Sequence, residues 1–161
     1  MKWAPNTTTG MVVAGQLNTA GSSNQLINGP KFIFLDEVHS TVYVVDYYNN
    51  RVQKFLLGTN GTGITVAGGN GAGSGLNQLK NAAGIWVSSK DLSLYVGDQG
   101  NHRVMKWSVN ATQGSIVAGV TGVTGSTSLL LNTPGDVALD STETFIYVAD
   151  YGNHRVQRFH L

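Results

Sequence analysis

A chain of 161 residues with 41% hydrophobic and only 12% charged residues has enough apolar material for one domain; a disordered segment would combine low hydrophobicity with high net charge. Ten Lys and Arg against nine Asp and Glu leave a formal charge of +1, so no whole-chain field draws it toward nucleic acid or an anionic membrane. Cysteine is absent, which excludes disulfides, thiolate nucleophiles and Cys-ligated metal centres and leaves the compartment open.

The opening Met1-Lys2-Trp3 lacks the apolar stretch of a signal peptide, and no apolar run approaches the ~20 residues of a bilayer span, so a soluble chain without a membrane partner is expected. Those three residues repeat as Met105-Lys106-Trp107, which places the start of the chain inside a repeating unit. Met11–Ala14, closed by Gly15, reads as a short strand. Phe32–Leu35 is a near-continuous apolar run and predicts an inner strand buried on both faces. Val42–Asp46 and Arg51–Phe55, rich in β-branched and aromatic residues, predict two further strands, and Ile64–Ala67 a fourth. The Gly-rich stretch 68–76 is a connection.

The same order then recurs. Ile85–Val87, Leu94–Asp98, Arg103–Trp107 and Ser115–Ala118 form a second set, and after the connection 119–125 come Val137–Leu139, Ile146–Asp150 and Arg155–Phe159. Asp46, Asp98 and Asp150 lie 52 residues apart, as do Arg51, Arg103 and Arg155. Asn28, Asn81 and Asn132 mark the approach to each inner strand. Four short strands repeating at this period, with no helical stripe anywhere, predict an all-β chain of propeller blades, each of four antiparallel strands. The expected organisation is 1–30 as the end of a blade and an interblade loop, 31–83 and 84–134 as two blades, and 135–161 as an incomplete third.

Three periods account for all but five of the 161 residues. Propellers usually carry 4–8 blades, so three blades' worth cannot close a ring alone. Closure then calls for missing sequence or for self-association of two chains head to tail, with residues 11–14 completing the last blade by strand exchange.

Each strand-two to strand-three junction carries the same residues: Asp98-Gln-Gly-Asn101-His102-Arg103-Val104, Asp150-Tyr-Gly-Asn153-His154-Arg155-Val156, and the variant Asp46-Tyr-Tyr-Asn49-Asn50-Arg51-Val52. Only four residues separate Asp from Arg, so a tight turn brings carboxylate and guanidinium together as a bidentate pair, with Gly and Asn at the positive-φ positions. A charge copied in every blade reads as architecture, and Asp46, Arg51, Asp98, Arg103, Asp150 and Arg155 are assigned to structural turn pairs. Lys2, Lys54, Lys106 and Arg158 share a place in strand three and read as side chains snorkelling from blade edges.

These heptads, each preceded by Tyr-Val-x, resemble the core signature of NHL repeats, and the resemblance covers essentially the whole chain. Pro134-Gly135 ahead of the inner strand follows the family pattern, whereas Pro30-Lys31 and Ala83-Gly84 stand at the corresponding places of the first two blades. The resemblance implies a propeller whose turn face binds a ligand, and, six blades being the usual count, the three blades' worth here reads as half of a six-bladed ring. On that face the sequence places Tyr47, Tyr48, Gln99, His102, Tyr151 and His154. Aromatics, an amide and imidazoles suit protein recognition or stacking on single-stranded RNA bases.

The basic residues outside the turn pairs are scattered, so RNA is the weaker partner and a protein the stronger. Some propellers of related pattern are metal-dependent lyases or lactonases. The candidates for such a site, Asp36, Glu37, Asp136 and Asp140 with His39 and His160, form no aligned His-bearing set, and no catalytic, metal or cofactor site is expected. Asn6-Thr-Thr, Asn60-Gly-Thr and Asn110-Ala-Thr are glycosylation sequons in form and read as turn chemistry. The expected function is a non-catalytic scaffold for protein binding. The resemblance also implies the substrate-recognition part of a larger protein such as a ubiquitin ligase. The alternatives are single-stranded RNA binding through the same face, or a fragment of a metal-dependent lyase or hydrolase.

Overall fold

The computed structural model describes residues 2–3, 10–59 and 61–161. Met1, Asn6 and Asn60 lie outside them.

Two short strands come first, β1 (Lys2–Trp3) and β2 (Gly10–Met11), paired antiparallel with Lys2 opposite Met11. The first full blade is a four-stranded meander of β3 (Pro30–Asp36), β4 (Thr41–Asp46), β5 (Arg51–Leu56) and β6 (Ile64–Gly68). The second repeats it with β7 (Ile85–Val87), β8 (Leu94–Asp98), β9 (Arg103–Trp107) and β10 (Ser115–Gly119). The third sheet has three strands, β11 (Pro134–Leu139), β12 (Phe145–Asp150) and β13 (Arg155–His160). The chain is thus a partial propeller, all-β and antiparallel throughout its named sheets.

Register is conserved between blades. Asp46 pairs with Arg51, Asp98 with Arg103 and Asp150 with Arg155. Arg51 in turn faces Gly68 and Arg103 faces Gly119. A bulge follows in strand four, between Thr65 and Ala67 and between Ile116 and Ala118, and it twists the outer edge of each blade.

Blades stack face to face. Tyr43, Val45, Val52 and Ala67 of the first blade bury against Leu79, Ile85, Val87, Leu94 and Val96 of the second. Tyr95, Val104 and Ala118 repeat that packing against Leu131, Val137, Leu139, Ile146 and Val148 of the third. Apart from Ala67 and Ala118, which stand 51 residues apart, the residues the two interfaces share lie at the 52-residue offset, so the second interface repeats the first. At the end of the sheets away from the conserved turns, Glu143 clamps blades two and three, accepting from Ser88 Oγ at 2.5 Å, Ser89 N at 2.7 Å and Ser89 Oγ at 2.8 Å.

The inner strand is buried on both faces only where blades lie on both sides of it. In β7, Ile85 and Val87 are buried, but in β3, Ile33 and Leu35 face solvent, which corrects the sequence expectation for that strand. The apolar run is the same; the neighbouring blade supplies the burial. Among the described residues, no helix is long and apolar enough to cross a membrane.

Candidate binding face

Each conserved junction begins as strand two ends on a buried Asp. One 3₁₀ turn follows, Tyr47–Asn49, Gln99–Asn101 or Tyr151–Asn153, and then one left-handed residue: Asn50 at φ 51°, His102 at 57°, His154 at 55°. The positive-φ place therefore falls to Asn or His, and the Gly of the motif sits inside the turn, contrary to the sequence expectation. Asn and His are among the residues most tolerant of this conformation. Arg then opens strand three.

The carboxylate organises the turn. Asp98 accepts from Lys80 N, Asn101 Nδ2 and Arg103 Nε, each at 2.8 Å. Asp46 accepts from Asn28 N at 2.7 Å, Asn49 Nδ2 at 2.9 Å and Arg51 Nε at 2.7 Å. Asp150 accepts from Asn132 N at 2.7 Å and from Asn153 Nδ2 and Arg155 Nε at 2.8 Å. The arginines are not bidentate partners of these carboxylates. Only Nε meets the Asp, while the outer nitrogens donate to carbonyls of the preceding interblade loop: Arg103 to Ser74, Gly75 and Gln78, and Arg155 to Ser126, Thr127 and Leu130. One guanidinium thus ties turn and loop together.

Two sequence alignments shift by one residue here. The residue whose N–H meets Asp98 is Lys80, so Lys80 and not Asn81 corresponds to Asn28 and Asn132. Likewise Ala82 corresponds to Pro30 and Pro134. The side chain at the first position is free to vary because the backbone makes the bond.

Burial separates the carboxylates. For Asp98 it pushes the pKa above the ordinary value, outweighing the bonds from Asn101, Lys80 and Arg103. Asp150, in the less covered third blade, also feels burial, but the bonds from Asn132, Asn153 and Arg155 outweigh it and hold the carboxyl low.

The face that these turns form carries the six side chains singled out from the sequence, in two groups. Tyr47, Tyr48 and Gln99 cluster across blades one and two. Tyr47 and Tyr48 stack edge to face with centroids 5.0 Å apart, and Lys31 Nζ lies 4.5 Å from the Tyr47 ring centre and donates to Gln99 Oε1 at 3.1 Å. The Tyr47 hydroxyl accepts from Asn81 Nδ2 at 2.6 Å. Lys31 and Asn81 were not legible as site residues, since Ala83 and Gly135 stand where Lys31 does and nothing repeats. Gly29 permits this arrangement, because a Cβ there would stand 2.5 Å from Tyr48 Cδ2 at a φ of +66°. Tyr151 and His154 stand exposed in blade three.

His102 belongs to the scaffold as well as to the face. Its Nδ1 accepts from Thr133 N at 3.2 Å, as Asn50 Oδ1 accepts from Asn81 N at 3.0 Å, so the left-handed residue of one blade caps the loop that enters the next. The remaining candidates are dispersed. Asp36 binds His39 Nδ1 at 2.8 Å, Asp140 accepts from Thr144 N and Phe145 N at 2.8 Å, and His160 packs on Phe145. Among the described residues, no group of three His, Cys, Asp or Glu converges as a metal site.

The family model for the NHL repeat matches residues 131–159, which hold the third copy of this Asp-Asn-Arg junction. Residues 131–159 thus match an NHL repeat, and the residues of its junction recur in the two preceding blades. It is 28% identical over 128 residues to the NHL repeat-containing protein 2 of Gallus gallus, covering 76% of this chain and 18% of that one. Two solved structures from Bacteroides thetaiotaomicron share the partial-propeller fold seen here. A protein of unknown function matches with a TM-score of 0.65 at 19% identity, over 80% of this chain and 34% of its own. An auxiliary nutrient binding protein matches with 0.60 at 16%, over 78% and 36%. The chain therefore spans about a third of those solved chains and under a fifth of the curated relative.

Proposed function

We propose that this NHL-repeat chain is a non-catalytic binding module that holds a protein partner on the face made by its strand-two to strand-three turns. One observation supports this reading above the others. The repeated Asp, Asn and Arg side chains are turned inward and bonded to the scaffold, so aromatic side chains lead the outward chemistry of the face: Tyr48 and Tyr151 stand exposed, with Tyr47 and Gln99 beside them. Tyrosine offers large contact area at low entropic cost, the character of protein-recognising surfaces. Lys31, and the exposed Lys80 beside the Gly100 turn, are scattered cations, too thin a field to hold a phosphate backbone. In a longer protein, such a module would present a substrate to the rest of the chain.

A peptide library displayed on phage and selected against the wild-type chain tests this. Recovered peptides should weaken tenfold or more, about 1.4 kcal/mol, on a Tyr48→Ala/Tyr151→Ala double variant whose unfolding curve is unchanged. Tyr47 is left in place because it bonds Asn81 across the blades. Undiminished affinity moves the site elsewhere. Salt-sensitive binding of oligouridine, lost in the same variant, would replace protein with RNA.

A further inference from the structure

Strand three carries a cation at the same place in each blade: Lys54, Lys106 and Arg158. In the second and third blades that cation is held internally. Lys106 Nζ lies 5.3 Å from the Tyr95 ring centre and 3.6 Å from Asp91 Oδ2, and the Arg158 guanidinium lies 4.3 Å from the centre of the Phe145 ring. Lys54 departs from this pattern. The residue 52 places before Asp91 is His39, and the carboxylate of that turn, Asp36, accepts from His39 N at 3.0 Å and meets His39 Nδ1 at 2.8 Å. Among the described residues Lys54 makes no ion pair and lies over no aromatic ring.

Lys54 instead lines a groove of about 600 Å³ between blades one and two, both of which are complete four-stranded sheets. Tyr43 and Ile64 join it from blade one, and Leu94, Trp107 and Val109 from blade two. Among the described lining residues Lys54 is the one that carries a charge. Ile64 and Val109 are 59% and 50% exposed and give the groove apolar sides. Tyr43 and Trp107 are more than nine-tenths buried, yet neither the Tyr43 hydroxyl nor the Trp107 indole N–H donates a hydrogen bond to another described residue. Apolar walls around a few polar groups, at this size, are the ordinary form of a small-molecule site.

The charge decides the class of ligand. A half-buried ammonium with no carboxylate of its own favours an anion, and the bond it makes is charge-assisted. A single lysine without an arginine fork matches one carboxylate better than a phosphate. We infer that this groove binds a small organic carboxylate with an apolar body, its carboxylate on Lys54 Nζ and its body between Ile64 and Val109. The site lies apart from the face made by the strand-two to strand-three turns and stands whether or not that face binds a protein.

Titration of the isotope-labelled full chain, followed by two-dimensional amide NMR, tests this with phenylbutyrate, phenylhexanoate and octanoate, each beside its neutral amide. The carboxylates should shift the amide resonances of residues 64–68 and 108–112 and bind about tenfold more tightly than the amides, the worth of a hydrogen bond to a charged group. Lys54→Met should bring each carboxylate down to the affinity of its amide, and Lys54→Arg should retain most of the difference. Lys106→Met should leave binding unchanged, because Asp91 already holds that cation. Equal binding of acids and amides to the wild type overturns the inference without recourse to any variant. So do shifts confined to other residues, an equal loss in Lys106→Met, or no binding by any of the three acids.

Discussion

Arg103 Nε meets Asp98 Oδ2 at 2.8 Å with both side chains sealed from solvent, and the same guanidinium holds three carbonyls of the loop from the previous blade. Removing the arginine strands a buried carboxylate, which costs about 3–5 kcal/mol. Arg103→Ala should therefore lower the urea midpoint severely, and Arg155→Ala less so, because Arg155 is partly solvated. Equal losses at the two sites would show that burial does not set the strength of the pair.

The left-handed residue between turn and strand three acts across the blade boundary. His102→Asn should be nearly neutral, since Asn50 makes the same bond to the next loop with its Oδ1. His102→Ala leaves Thr133 N without its acceptor and puts Ala at positive φ, at a cost of about 1–3 kcal/mol. Thermal unfolding of the two variants side by side measures the difference; equal melting temperatures would remove the histidine from the scaffold.

Glycines at the ends of strand four are required for space as well as conformation. A Cβ on Gly119, at φ +77°, would stand 2.4 Å from the carbonyl oxygen of His102, whereas one on Gly122, at φ +71°, meets nothing within 4 Å. Gly122→Ala should cost the conformational penalty alone, about 1–2 kcal/mol, and Gly119→Ala clearly more in the same denaturation assay. A smaller loss at Gly119 would contradict the close approach.

Acid should destabilise the fold chiefly between pH 4 and 2. Burial raises the Asp91 pKa, but bonds from Ser93 and Ser88 and the charge of Lys106 outweigh it and bring the carboxyl from 3.8 to about 2. Glu143 and Asp150 are lowered in the same sense, by the Ser88 and Ser89 bonds and by the Asn132, Asn153 and Arg155 bonds respectively. Groups lowered on folding stabilise the native state above their unfolded pKa and lose that contribution as pH falls through the folded value. Asp98, raised by burial, works in the opposite sense: its contribution is present at low pH and lost as pH rises through its folded value. The stability gap between wild type and Asp91→Asn should be open at pH 7 and closed at pH 2; a constant gap would contradict the assignment.

Repetition made the scaffold legible. Asp46, Asp98 and Asp150 with their arginines stood out because every blade needs the same buried carboxylate. Tyr47 and Gln99 were legible as turn residues, since they hold the same place 52 residues apart, but their link through Lys31 was not, because it forms once, between two blades. Asn81 misled for a different reason: the bond to Asp98 comes from the Lys80 backbone, which leaves no trace in residue type. Exposure of Ile33 was likewise beyond reach, since burial of an inner strand is set by the blade beside it and not by its own apolar run.

The central claim is that the turns after strand two form the binding face while the charged motif beneath them holds the fold. Hydrogen exchange of the chain, free and saturated with a peptide selected against it, tests that claim directly. Protection should concentrate in 47–50, 99–102 and 151–154. Protection confined to the opposite turns, 37–40, 89–92 and 141–144, or to the exposed stretch around Ile33 and Leu35, would contradict it.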